Sequence, residues 1–242
     1  VTGIDIDVIF GNASVTIDLN GFSIRGPVTC SGIPTSTCTP MAAGDGGSGV
    51  DVGNADTVTI MNGTVFGMGR YGVVCQANSN CTIRDLNVEQ NAEDGINSLL
   101  SDTAVIENVV ARFNHEYGIL LGAKMTTVQR ATARGNGVAG IQLGQGSIVA
   151  SSASQNGSDG FLVGGASIER SQSSNNGQDG IVCFAGCIAT SNVARFNNRF
   201  GIRFLNGSMG GSNNLGNNGT SDADFEPNFT ETAPNSCLDG SC

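Results

Sequence analysis

The chain has 242 residues, with 21 acidic against 11 basic side chains, a net charge of −10 and a pI near 4.3. Such a surface repels a polyanion, which excludes nucleic acid as a partner, and no apolar run approaches about 18 residues, which excludes a membrane-spanning helix. Only 5% of residues are aromatic, there is no Trp and 36 residues are Gly, so a long, thin core of Val, Ile, Leu and Ala is expected rather than a globular core of large rings.

In chain order, residues 3–10 and 15–24 (VTIDLNGFSI) read as strands. The chain opens at Val1 without Met or a charged-then-apolar leader, so it is expected to be processed or trimmed. With strand sequence starting almost at once, the N-terminal end is expected to be bare, exposing strand edges to a neighbour. Asp5, Asp7 and Asp18 read as solvated. Residues 27–48 break the pattern with Pro27, Pro34, Pro40, a Cys30 and Cys38 pair and a Gly-rich exit. They are expected to form a stapled loop leaving the first corner after a third strand.

From Gly49 onward a glycine followed by Val, Ile or Phe returns at Gly72, Gly95, Gly118, Gly140, Gly160, Gly180 and Gly201, at spacings of 23, 23, 23, 22, 20, 20 and 21. Four residues before each of the last six sits an asparagine: Asn91, Asn114, Asn136, Asn156, Asn176 and Asn197. A repeat near 20 residues with period-2 alternation inside it predicts a solenoid of stacked strands. Ile119 and Leu121 begin one strand, Gly122, Gly144 and Gly164 are expected at positive φ in the corner after it, Val128 marks a second strand, and Ala131 and Ala133 point inward from a third. Ser151, Ala153, Ser171 and Ser173 hold the third-strand positions in later coils, so the core is expected to taper, with Phe161, Phe184 and Phe204 refilling it. The six asparagines are expected to stack as a ladder that pairs backbone groups inside a bend. Asn156 also heads a glycosylation-type triplet, yet as a ladder member it should be buried and unmodified; Asn12, Asn62, Asn80, Asn206, Asn218 and Asn228 head similar triplets, mostly by chance in so Asn-rich a chain. Residues 221–242, polar and with Pro227 and Pro234, are expected to fold over the C-terminal end as a cap.

The eight cysteines fall in four close pairs, Cys30 with Cys38, Cys75 with Cys81, Cys183 with Cys187 and Cys237 with Cys242. This predicts disulfides and a secreted, extracellular or cell-surface chain, because a zinc site would need two pairs to converge at shorter gaps. Cys75 and Cys183 each lie three residues past their glycine, so both pairs staple the same corner in different coils.

These repeats, with the opening stretch at 15–24, resemble the right-handed parallel β-helix proteins of the pectate-lyase superfamily over roughly residues 3–220. The resemblance implies an all-β, single-domain right-handed parallel β-helix of about eight to nine coils, three short strands per coil, with residues 1–220 as the helix, the loop at 27–48 inserted and 221–242 as a capping tail. It implies that the inserted loop either walls a groove or lies passively on the surface. It implies little about activity, since the superfamily holds lyases, hydrolases, epimerases and adhesins.

The sequence lacks the clustered Asp, Gly-His-Gly and Arg-Ile-Lys patterns of the hydrolases. The outward column of the first strand reads Asp51, Val74, Asn97, Leu120, Gln142, Leu162, Val182 and Arg203. That is a half-apolar strip; Val74, Leu120, Leu162 and Val182 in it read either as isolated surface aliphatics or, the favoured expectation, as a contact strip for the loop, the tail or another subunit. The best catalytic cluster is Glu93, Asp94, Arg112, His115, Glu116, Tyr117 and Lys124, holding the only His and the only Lys. Its Asn-His-Glu run is similar to the Asp-Pro-His-Glu of alginate epimerases but lacks the first Asp and the Pro, so no catalytic roles are carried over; a solvated corner with ordinary ion pairs is the favoured account of it. Glu89 with Arg112 and Arg84 with Glu107 read as cross-coil pairs, and Arg112, Arg134 and Arg195 share an outward column interrupted by serines. Residues 46–51 (GGSGVD) match the start of a calcium-binding repeat, but Gly53 breaks it and there is one copy, so no metal or cofactor is expected beyond calcium there. The leading function is a secreted, disulfide-stapled scaffold or adhesin that self-associates, end to end into filaments in one form. The alternative is a polysaccharide-active enzyme (uronate lyase, epimerase or glycoside hydrolase) or a carbohydrate-binding β-helix.

Overall fold

The computed structural model describes residues 3–7, 14–39, 46–53, 55–76, 80–122, 124–240 and 242. The Asn12 triplet, Pro40, residues 8–10 of the first strand reading and the side chains of Asp5 and Asp7 fall outside that description. Among the described residues there is no helix; one 26-stranded parallel sheet winds as a solenoid, and one two-stranded antiparallel hairpin stands apart from it.

Each coil contributes to three faces. The first face stacks Val50–Gly53, Val73–Cys75, Ile96–Ser98 and Ile119–Leu121, with Val50 beside Val73, Ile96 beside Ile119 and Ile119 beside Ile141. The second face stacks Ile60, Ile83, Ile106 and Val128 in register, and the third Val88, Ala111, Ala133 and Ala153. All of these side chains are buried, each contributing roughly 1–3 kcal/mol according to size. Strand boundaries vary along the stack. Thr57–Phe66 and Asn80–Glu89 fuse the second and third strands, whereas Ile141–Val149 and Phe161–Glu169 fuse the first and second. Gly144 and Gly164 therefore lie within strands, and neither they nor Gly122 has positive φ, contrary to expectation. Glycine is required at 164 by close approach instead: a Cβ there would sit 2.7 Å from the Gly144 carbonyl oxygen.

The bends are made by single residues in the left-handed region. Gln90, Phe113, Gln155, Asn175 and Phe196 have φ of 56–58° immediately before a ladder asparagine, at a cost of roughly 1–2 kcal/mol each for a non-glycine residue. The asparagine that follows offsets this. Asn91 Nδ2 donates to Asn114 Oδ1 at 2.8 Å, and the chain of amides continues through Asn136, Asn156, Asn176 and Asn197 at 2.9–3.0 Å. It extends to Asn218 and ends on Asp222 Oδ1, so the Asn156 and Asn218 triplets are both committed to the ladder.

A second ladder, absent from the sequence reading, occupies the bend between the second and third faces. Ser151 Oγ accepts Ala131 N, Ser171 Oγ accepts Ser151 N, and Asn192, Asn213 and Asn235 continue it with amide bonds of 2.9–3.1 Å. Ser151 and Ser171 are thus bend residues and not inward third-strand residues. Phe161 and Phe204 fill the core, and Phe204 packs against Phe225 and Phe229 at 5.6 and 4.4 Å, whereas Phe184 is only half-buried.

The tail covers the preceding coil by continuing the solenoid. Ser221–Phe225, Thr230–Ala233 and Ser236–Cys237 pair in parallel with Phe200–Phe204, Met209–Gly211 and Asn214–Gly216, adding a further coil. All four cysteine pairs are disulfides, the mark of a non-reducing compartment. The insertion forms a hairpin, Thr29–Ser31 against Thr37–Thr39, stapled by Cys30–Cys38. It lies on the Asn bend: Val28 and both cysteines pack with Ala92, both sulfurs approach the Asn91 carbonyl oxygen, and Thr35 Oγ1 donates to Gly135 O at 2.9 Å.

Candidate functional site

The outward column of the first face stacks as Asp51, Val74, Asn97, Leu120, Gln142, Leu162, Val182, Arg203 and Asp224. At the spacing of paired strands, Val74 to Val182 spans about 24 Å. Although these side chains point away from the core, Val74, Leu120 and Val182 are only 6–9% exposed and Leu162 is half-buried. The expected exposed contact strip is therefore the floor of a groove. One wall runs along the row of residues that precede the repeat glycines, Tyr71, Asp94, Tyr117, Ala139, Asp159, Asp179 and Phe200, which follow one another through backbone bonds from coil to coil; Tyr71, Tyr117, Asp159 and Phe200 are half-buried, and Asp94, Ala139 and Asp179 are buried behind that wall. That register follows from the bends, because each wall residue lies three positions after a bend-forming asparagine or its equivalent.

The groove deepens over the coils of Asp51, Val74 and Asn97 into a cleft of about 330 Å³, lined also by Arg70, Tyr71, Gln76, Leu99 and Leu100. Gln76 Nε2 donates to Asp51 Oδ1 at 2.6 Å, and Asn97 Nδ2 donates to Asp94 Oδ2 at 2.8 Å. Arg70 lies over the Tyr71 ring at 4.7 Å and reaches Glu93 at 3.4 Å. At the far end Arg199 repeats this arrangement over Phe200 at 5.4 Å, with Asp179 as its carboxylate.

Burial first, then repulsion from Glu116 and Glu93, pushes Asp94 up to about 6. Asp94 is 1% exposed, and its two oxygens are taken by Tyr117 N and Asn97 Nδ2. It holds a wall and a floor residue in place and does not face a ligand. Tyr117 and Asp159 are also raised, chiefly by burial, with neighbouring carboxylates adding to the shift.

The catalytic cluster read from the sequence is divided. Asn114 is locked in the ladder, Arg112 Nε pairs with Glu89 at 2.6 Å on the third face, and Lys124 lies at the opposite end of the Ile119–Leu121 strand from Tyr117. His115 bonds through its backbone to Asn91 O in the row covered by the hairpin tip, where a Cβ on Gly137 would lie 2.6 Å from Thr35 O. Only Tyr117, with Asp94 beneath it and Glu116 beside it, belongs to the groove. Arg84 is adjacent in register to Glu107 but binds Asp85 at 3.0 Å, and Arg130, one coil further, pairs with Glu107 instead. The hairpin covers the bend and none of its residues lines the cleft. Arg70, Tyr71, Gln76, Leu99 and Leu100 were missed by sequence reasoning; the alternation Tyr71, Asp94, Tyr117 just before successive glycines was the available signal.

No curated protein sequence matches the chain. Among solved structures, the fold is similar to the periplasmic alginate epimerase AlgG, with a TM-score of 0.69 and 16% identity over 76% of this chain and 51% of that one. It is also similar to the A-module of the Azotobacter vinelandii mannuronan C-5 epimerase AlgE6, with a TM-score of 0.63 and 18% identity over 79% and 69% of the two chains. The chain spans about half the length of AlgG. At these identities the likeness is one of fold. The model of the right-handed beta helix region matches residues 7–151, more than half of the sequence, and with the stacked register above it shows that this chain belongs to the right-handed parallel β-helix family.

Proposed function

We propose that this protein is a secreted carbohydrate-binding β-helix that holds a polysaccharide along the first face. The observation that carries the reading is the cleft over Asp51, Val74 and Asn97, with Tyr71 in its wall and Leu99 and Leu100 at its rim. A sugar ring has an apolar C–H face and a hydroxyl edge. Tyr71 and the aliphatic floor suit the first; Asp51, Gln76 and Asn97 suit the second. Tyr71 and Tyr117 stand two coils apart, on the order of 10 Å, a disaccharide step. The similarity in fold to alginate epimerases supports a polysaccharide as the class of ligand. Binding is favoured over catalysis because the carboxylates with raised proton affinity, Asp94 and Asp159, each have both oxygens engaged by protein.

Isothermal titration with soluble oligosaccharides tests this reading. Binding that Tyr71→Ala weakens about tenfold, and that the second-face control Met125→Ser leaves unchanged, is the expected result. Absence of binding to every glycan offered refutes it. The self-associating scaffold draws less support, since the strip that motivated it is 6–9% exposed at Val74, Leu120 and Val182. Sedimentation velocity over a concentration series separates the two: a mass rising with concentration, without glycan binding, favours the scaffold.

A further inference from the structure

The charges around the groove narrow the ligand further, and this step rests on the groove reading above. From the arrangement of charged groups along the first face, we infer that the occupant is a neutral polysaccharide, one whose sugars carry no carboxylate or sulfate.

The cations at the groove are already neutralised. Arg70 is bound to Glu93 at 3.4 Å and to the Tyr71 hydroxyl at 3.3 Å. Arg199 is bound to Asp179 through Nε at 2.7 Å and through Nη2, and Arg203 to Asp224 at 3.2 Å. Lys124, exposed at the opposite corner, falls alongside Asp102, one residue before the Thr103–Met125 pairing. The other arginines belong to the second and third faces and their bends.

Carboxylates exceed these cations. Asp51 at the cleft has only the neutral Gln76 as its hydrogen-bond partner there, Asp94 has Asn97 and a backbone N–H, Glu116 is exposed on the wall, and Asp159 faces Asp179 N and Ser158. Their mutual repulsion is visible in the raised proton affinities of Asp94, Tyr117 and Asp159, where burial is the larger cause and neighbouring carboxylates add to it. An anionic chain laid along this floor would meet like charge at every second or third coil, without a free guanidinium to form the bidentate bonds that recognise carboxylates. A neutral chain meets acceptors for its hydroxyls, an aromatic face and an aliphatic floor.

The test is a titration panel in low salt. Neutral hexamers (cello-, xylo-, manno- and laminari-oligosaccharides) are set against oligogalacturonate and oligomannuronate, each with EDTA and with calcium. The expected result is binding of at least one neutral series, with the uronates at least tenfold weaker and the gap narrowing as salt is added. Glu116→Gln, which removes a charge and keeps the shape of the wall, should raise uronate affinity a fewfold relative to neutral affinity. Uronates binding as tightly as the neutral series or more so, with or without calcium, would overturn the inference and leave the groove reading standing. An unchanged uronate affinity in Glu116→Gln would overturn its electrostatic basis. If neither class binds, both the groove reading and this inference fall.

Discussion

Truncating one rung in the middle of the Asn ladder should cost far more than losing an ordinary turn residue. Asn136 is fully buried, and its Oδ1 accepts Asn114 Nδ2 at 3.0 Å and Asn114 N at 3.1 Å. Its Nδ2 donates to Asn156 Oδ1 at 3.0 Å and to Ala111 O at 3.2 Å. In Asn136→Ala, Asn114 Nδ2 retains Val88 O and Asn156 Oδ1 retains the residue 136 backbone N–H. The Asn114 backbone N–H loses its acceptor inside the protein, a loss of about 1–3 kcal/mol, and each broken amide link adds about 1 kcal/mol. The total is about 3–5 kcal/mol, or a fall in Tm of about 10 °C for a chain of this size. Asn136→Asp should do no better, because its second oxygen would face two acceptors, Asn156 Oδ1 and Ala111 O. Asn228→Ala, in an exposed turn, should stay within about 0.5 kcal/mol of the parent. Urea and thermal unfolding followed by far-ultraviolet circular dichroism suits a protein without Trp. A loss below about 1 kcal/mol in Asn136→Ala would show that the stacked amides are passive and that the bends hold without them.

Three further outcomes follow from the same structure. Asp94 binds its proton more tightly folded, near 6, than unfolded, near 3.8; its contribution is therefore complete below about pH 4 and falls by about 3 kcal/mol as the pH rises through 6. Asp94→Asn should flatten that part of the stability profile and raise the Tm at neutral pH, and an unchanged profile from pH 4 to 8 counts against a buried Asp94 carboxylate. Arg199→Leu should cost about 3–5 kcal/mol, because Asp179 is fully buried and would lose its guanidinium; a denaturant melt within 1 kcal/mol of the parent would contradict that. Under native conditions a mild reductant should open Cys237–Cys242 well before Cys183–Cys187, since the first pair is partly exposed and the second fully buried; mass-tagged thiol labelling over time gives the order directly.

The Asn ladder was legible from Asn91 to Asn197 because one left-handed residue precedes each rung and a glycine follows four positions on, so its spacing survives as coils shorten. The second ladder was not, because its rungs change from Ser151 and Ser171 to Asn192 and Asn213, and the bend they occupy drifts relative to the glycines. The tail misled for a related reason: its polar residues and prolines hide strands that only pairing with the coil before them makes evident. The groove floor was readable as a column, Asp51 to Arg203, but its depth was not. Whether an outward Val74 is covered depends on Tyr71 and Leu99, which come from bends whose direction no periodicity encodes. His115 and Lys124, read as members of one cluster, lie nine residues apart, and three residues of extended strand between them were enough to part them.

The hairpin at Thr29–Ser31 and Thr37–Thr39 has a consequence for the order of assembly. The ladder bonds join residues 20–23 positions apart, so windings can add one upon another with little chain to gather at each step. Thr35 meets Gly135 across 100 positions, and no docking surface exists for it until several later windings are laid down. A chain emerging from its N-terminus would close Cys30–Cys38 early and then hold a finished but idle clasp, which fastens only when growth has passed Gly135.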